Sequence, residues 1–210
     1  MCWSATADLV AGTAVAGVGV ACVARVRDRR DLPLAGLPLL LGAHQIVEAL
    51  VWNAGGGGGA ATVVWAVIAL PVLAVGVPSA VWCAATTAKA RRRLSVPVLI
   101  GAVTAAALAH AVASGPVTAE IRGHTMGYSI GLSHTPLLIT GYLLATVGSL
   151  LLSGDRWLFM LGVLVAVGAA VCSALWRLEF VSTWCALAAL CSVVLLGWVR
   201  ARRRDATAAA

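Results

Sequence analysis

The chain has 210 residues, of which 61% are hydrophobic and 11% charged, with a formal net charge of +7. A soluble domain carries about 25% charged and about 45–50% apolar residues, so this composition excludes an ordinary soluble globule. The basic residues sit in short clusters between apolar runs, the pattern that sets membrane topology, so nucleic acid is not expected as a partner.

The apolar runs reach the length of about 20 residues that a helix needs to cross lipid, and they are continuous, which favours helices over a barrel. The start, MCWSATADLVAG, lacks the basic leader of a cleaved signal peptide, so the first helix is expected to be retained. The first helix is read at about residues 4–24 and ends at RVRDRRD. The second covers about 33–53 and ends at a run of five glycines, 55–59, read as a flexible turn. That run lacks the Lys and Ser/Thr of a phosphate loop. The third covers about 60–88, with Pro71 and Pro78 expected to kink it, and stops at KARRR. The fourth covers about 95–114. A connection of twenty residues follows, 115–134, which is long for so compact a chain and has the character of a lid or binding segment. The fifth covers about 135–153 and the sixth 157–175. WRLE makes a tight link at 176–179, and the seventh covers about 180–199. The expected fold is all-α, a single bundle of seven transmembrane helices over residues 1–200. A basic tail, 201–210, is expected to be disordered.

Arg25, Arg27, Arg29, Arg30, Lys89, Arg91, Arg92, Arg93, Arg156, Arg200, Arg202, Arg203 and Arg204 follow the odd-numbered helices. That is thirteen of the fifteen basic residues, and only Arg122 and Arg177 fall on the other side. Cytoplasmic loops are enriched in Lys and Arg, so the expected topology is N-terminus outside, C-terminus cytoplasmic, in a multi-pass cell-membrane protein.

This topology collects Asp8, His44, Gln45, Glu48, His110, Glu120, His124, His134 and Glu179 near the outer side. Glu48 lies five residues before Asn53, about 7–8 Å deep at about 1.5 Å per residue. His110 lies about 6 Å deep by the same rule. His44 and Glu48 are four residues apart and share a helix face, which Trp52 extends by a turn. An ionisable residue in a membrane helix costs about 2.5–3.5 kcal/mol on insertion scales, so it is functional by default, and a structural polar bond between helices is the bland alternative. The catalytic candidates are Glu48, Asp8 and His44. Glu120, Arg122, His124 and His134 lie on the long connection, where a solvated loop is the bland reading.

Trp3, Trp52, Trp65, Trp176 and Trp184 also fall in the outer half. An interfacial aromatic belt explains Trp3 and Trp176, but Trp65 and Trp184 lie deeper and fit it less well. Trp176, Phe180 and Trp184 recur every four residues and make one stripe, which packs a core or lines a pocket for a cation. The candidate substrate-binding set is Trp3, Trp52, Trp65, His110, Glu120, Tyr128, Trp176, Glu179, Phe180 and Trp184. Of the six cysteines, none forms a CxxC pair and most lie in apolar runs as packing residues. Cys2 and Cys172 fall near the same face, which leaves a disulfide between them open.

MCWSATAD, HQIVEALVW and STWCALAALCS, at 1–8, 44–52 and 182–192, resemble a family of uncharacterised bacterial seven-helix membrane proteins over the whole length. That family begins MC-aromatic-S and carries a (H/Q)Q-x-x-E…VW pattern. The resemblance implies the fold and no activity. In size, helix number and buried acids the chain is also similar to the small membrane-bound terpene cyclases of indole sesquiterpenoid and meroterpenoid pathways, without a motif that aligns residue by residue. Those enzymes protonate an epoxide or terminal alkene of a prenyl chain, so this likeness implies Glu48 or Asp8 as the acid.

The chemistry asks for a protonated carboxylic acid in a dry pocket, since burial disfavours the charged form, and for aromatic walls to stabilise a carbocation. The expected partner is a hydrophobic small molecule taken from the bilayer lipid; no cofactor or metal is needed. Two other classes compete. A zinc-dependent membrane lipid hydrolase would use the histidines and an aspartate as ligands, because catalytic zinc takes about three protein ligands plus water. A proton-coupled transporter would use the same groups as a relay, yet they stop halfway through the membrane and no inverted repeat is visible.

Overall fold

A computed structural model describes the backbone of residues 4–175 and 180–208, and all side chains among them except those at 172–186 and 205–208. The chain is mostly helical. Helix α1 spans Ala5–Val23 and starts at Ser4, whose Oγ accepts from the Ala7 amide at 3.2 Å. A short 3₁₀ turn at Arg29–Asp31 and a helical turn, α2, at Leu32–Ala35 lead into α3, Leu37–Asn53. Helices α4, Ala60–Val67, and α5, Leu73–Ala84, form one rod joined by a π-helical segment, Ile68–Val72. Pro71 lies in that segment. It has no N–H to donate, so the helix widens there, which gives the expected irregularity a specific form.

Helix α6 runs over Ala88–Ser114. Strands β1, Val117–Arg122, and β2, Thr125–Ile130, pair antiparallel. Three helices follow: α7 at Thr135–Leu151, α8 at Arg156–Leu175 and α9 at Phe180–Ala208. The all-α expectation is therefore corrected by one β-hairpin. The basic segment read as a disordered tail is helical through Ala208, because Arg and Ala are strong helix formers.

Four rods are long and apolar enough to cross a membrane: Ala5–Val23, Arg29–Asn53, Ala60–Ala84 and Ala88–Ser114; α7 and α8 are shorter and apolar. Burial is inverted relative to a soluble protein. Val10, Leu99, Val103 and Leu137 are 60–70% exposed, while Asp8, Gln45 and Glu48 are at most 1% exposed. Such a large apolar exterior is what lipid contact requires.

The most extensive helix contact is that of α1 with α3, which run antiparallel. A Cβ at Gly42 would stand 2.6 Å from the Ala16 nitrogen and 2.7 Å from the Gly12 oxygen. A Cβ at Gly19 would stand 2.6 Å from the Leu39 nitrogen. Small residues let the two backbones touch, the usual means of holding helices together where lipid supplies no hydrophobic drive. On its other side α1 packs on α9; α8 joins α9 to α7, and α7 lies against α5 and α6.

The four basic segments converge at one end of the bundle. There the Arg202 Nη2 donates to Asp31 Oδ1 at 3.1 Å and to the Ala84 carbonyl. The Trp198 indole donates to Asp155 Oδ2 at 3.0 Å. Leu34, Val81, Leu94, Leu158, Leu195 and Trp198 form the main apolar core near this end. The glycine run and the hairpin occupy the other end.

Candidate functional site

Asp8 and Glu48 are both buried toward the hairpin end. Asp8 shares the buried face of α1 with Gly12, Val15 and Gly19. Gly12 faces Ile46, Ala16 faces Gly42 and Gly19 faces Leu39. Extending that register by one turn sets Asp8 level with Leu50, two residues from Glu48, or about 3 Å along the axis. Both acids are 0% exposed. His44 and Gln45, one turn deeper on α3, are also buried. Two acids, an imidazole and an amide thus gather between two helices in an otherwise apolar layer, where ionisable groups are expensive to keep.

Aromatic rings continue the cluster. The His44 ring lies 5.0 Å from that of Trp65, tilted by 36°, and Trp65 stacks on Tyr128 at 3.4 Å between centroids and 4° between planes. Trp65 comes from α4 and Tyr128 from β2, so the stack ties the hairpin to the bundle. Among the described residues, His44 Nε2, Trp52 Nε1 and Trp65 Nε1 are buried without a hydrogen-bond partner. Orphaned polar atoms are uncommon in folded proteins because each costs about 1–3 kcal/mol, so three of them near one another single out this region.

The hairpin covers this cluster. Val117, Ala119, Met126, Tyr128 and Ile130 share its inner face and pack on Val51, Trp65 and Val112. The glycine run fixes it in place. Gly57 donates to the Ala119 oxygen at 2.7 Å, and its own oxygen accepts from Ala119 at 3.1 Å. Gly55, Gly56 and Gly57 have φ of 75°, 83° and 83°, and a Cβ at Gly56 would stand 2.6 Å from the Ala119 oxygen. Left-handed backbone and close approach both demand glycine. The run expected to be a flexible turn is instead a specific docking edge.

Several candidates lie elsewhere. Glu120 points outward, 64% exposed, in an ion pair of 2.9 Å with Arg122. His110 is exposed on α6, with Nδ1 3.4 Å from Ser114 Oγ. His124 is exposed at the hairpin turn, and His134 is exposed with φ of 58° at the start of α7. Trp3, Trp176 and Glu179 lie outside the described residues, as do the side chains of Phe180, Trp184, Cys2 and Cys172. Gln45 belongs to the cluster although the sequence reading gave it no role; its place beside His44 on a buried face was the available signal. Among the described residues, no three His, Cys, Asp or Glu side chains come together as metal ligands would. The cluster can donate, accept and relay protons, and its aromatic side can hold an apolar or cationic group.

The chain matches the model of a family of unknown function, DUF6629, along residues 1–210, and it belongs to that family. No curated protein and no solved structure matches it.

Proposed function

We propose that this member of DUF6629 crosses the cell membrane seven times, with the hairpin end outside, and that its outer half is a terpene cyclase started by protonation. The convergence of four basic segments at one end supports the topology, because positive charge marks the cytoplasmic side. The observation that carries the chemistry is the pair of fully buried carboxyls, Asp8 and Glu48, set level beside His44 and the Trp65–Tyr128 stack.

In this reading Glu48 or Asp8 gives a proton to the epoxide oxygen or the terminal alkene carbon of a farnesyl-type chain. The C–O bond opens, or the alkene becomes a cation, and successive double bonds close the rings. The last cation loses a proton to the remaining carboxylate or to His44. The product is an isomer of the substrate, and no cofactor is consumed. Trp52, Trp65 and Tyr128 face the developing positive charge, and the hairpin keeps out water that would quench it. A zinc hydrolase loses support because the described side chains offer no ligand set. A transporter loses support because, among the described residues, the basic end offers one buried acid, Asp31, already paired with Arg202, and no buried histidine to continue a relay.

The test uses membranes containing the protein, incubated with epoxyfarnesyl and farnesyl aromatic substrates and assayed by chromatography and mass spectrometry. A cyclised product of unchanged mass is expected, with Glu48→Gln and Asp8→Asn lowering its yield at least about 100-fold, the lower range for loss of a general acid. Absence of product from every such substrate would refute the reading.

A further inference from the structure

We infer that the basic end of the bundle holds a binding site for the phosphate of an anionic phospholipid headgroup, between the start of α6 and the loop before α8. A cavity of about 360 Å³ lies there, lined by Thr86, Thr87, Lys89, Arg93, Ser153 and Arg202 among others. Its mouth residues Thr86, Thr87, Lys89 and Arg93 are exposed.

The charges around it do not balance. Among the described residues, Arg122 pairs with Glu120 and Arg202 with Asp31, and neither Lys89 nor Arg93 takes part in an ion pair. The one acid in the lining, Asp155, is already engaged. Its Oδ1 accepts from the Trp157 and Leu158 amides at 2.8 and 3.3 Å, and its Oδ2 accepts from the Trp198 indole at 3.0 Å. Arg202 has committed Nη2 to Asp31 and Ala84, while its buried Nε–H lacks an acceptor. Three cations from two helices therefore share one concavity with a single carboxylate whose two oxygens are both already engaged. An anion with several acceptor oxygens completes such a set. The N-terminal turn of α6, capped by Thr87 Oγ on the Ala90 amide at 3.1 Å, adds the positive end of a 27-residue helix.

The surroundings point to lipid as the source of the phosphate. Trp82, Leu152 and Phe159, on the same elements, are 38%, 41% and 51% exposed and would take the glycerol and upper acyl chains. Basic recesses between helices at the cytoplasmic side are where anionic headgroups bind. This site lies at the opposite end from the acid cluster and does not depend on its chemistry.

Native mass spectrometry of the full chain in detergent, titrated separately with phosphatidylglycerol, phosphatidylcholine and inorganic phosphate, tests the inference. Phosphatidylglycerol should bind about tenfold or more tightly than phosphatidylcholine. Lys89→Gln with Arg93→Gln should weaken it about tenfold or more, whereas Arg29→Gln with Arg30→Gln, the same loss of charge outside the cavity, should leave it within about twofold. Equal weakening in both double variants, or no preference over phosphatidylcholine, would overturn the site. Inorganic phosphate binding as tightly as phosphatidylglycerol would overturn lipid as the source.

Discussion

Gly42→Ala tests the packing on which the acid cluster depends. The added Cβ would meet the Ala16 nitrogen at 2.6 Å, the Gly12 oxygen at 2.7 Å and the Ala16 Cβ at 2.8 Å. None of these atoms can rotate away, and a comfortable carbon contact lies at about 3.5–4.0 Å, so α1 must move off α3 by about 1 Å. Overpacking of this kind costs about 1–3 kcal/mol and outweighs the gain of about 1 kcal/mol from Ala over Gly in a helix. Gly17, on the facing helix α1, has nothing within 4 Å of the equivalent position. There Ala should keep its gain of about 1 kcal/mol. The propensity gain cancels, so the two variants should differ by the overpacking cost, about 1–3 kcal/mol, or about 2–12 °C in melting temperature for a chain of this size. Thermal unfolding of the purified variants in detergent, followed by circular dichroism, measures the gap. If Gly42→Ala melts at or above Gly17→Ala, the close α1–α3 contact, and with it the level placement of Asp8 and Glu48, is refuted.

Three further outcomes follow from the same geometry. Tyr128→Ala removes the stack on Trp65 and should lower stability by about 1–2 kcal/mol, while Tyr128→Phe keeps the ring and should retain most of it, as read by melting temperature. Gly56→Ala places a Cβ against the Ala119 oxygen at a φ of 83° and should free the hairpin for proteolysis. Gly55→Ala, strained at a φ of 75° but with open space around it, should free the hairpin less than Gly56→Ala does. Asp155→Ala strips the cap of α8 and the acceptor of Trp198 and should cost about 2–3 kcal/mol by denaturation, with Asp155→Asn intermediate.

Helix positions could be read from the sequence because each apolar run is bounded by charge or glycine, and the basic clusters fixed which ends belong together. The hairpin was missed although its signal was present. Val117, Ala119 and Ile121 alternate with polar residues, as do Met126, Tyr128 and Ile130, and Gly123 supplies a φ of 62° at the turn. That alternation also places Glu120 on the outer face, which sequence depth alone could not. Depth likewise could not give the direction of His110 around α6, where it is exposed. Asp8 and Glu48 could be read as lying toward one end of the bundle because both sit close to helix ends on one side. The Trp65–Tyr128 stack was not, since it joins residues sixty-three positions apart and depends on how the hairpin docks. The poor fit of Trp65 to an interfacial belt was the one hint, and Trp65 is 1% exposed beneath the hairpin.

The claim that a proton-bearing carboxyl sits in the outer half can be measured by labelling with dicyclohexylcarbodiimide, an apolar reagent that adds to protonated carboxyls and rearranges to a stable N-acylurea. Peptide mapping after treatment of intact membranes at neutral pH should find the adduct on Glu48 or Asp8, with prenyl analogues blocking it. Label confined to exposed acids such as Glu120, or absent altogether, would contradict the account.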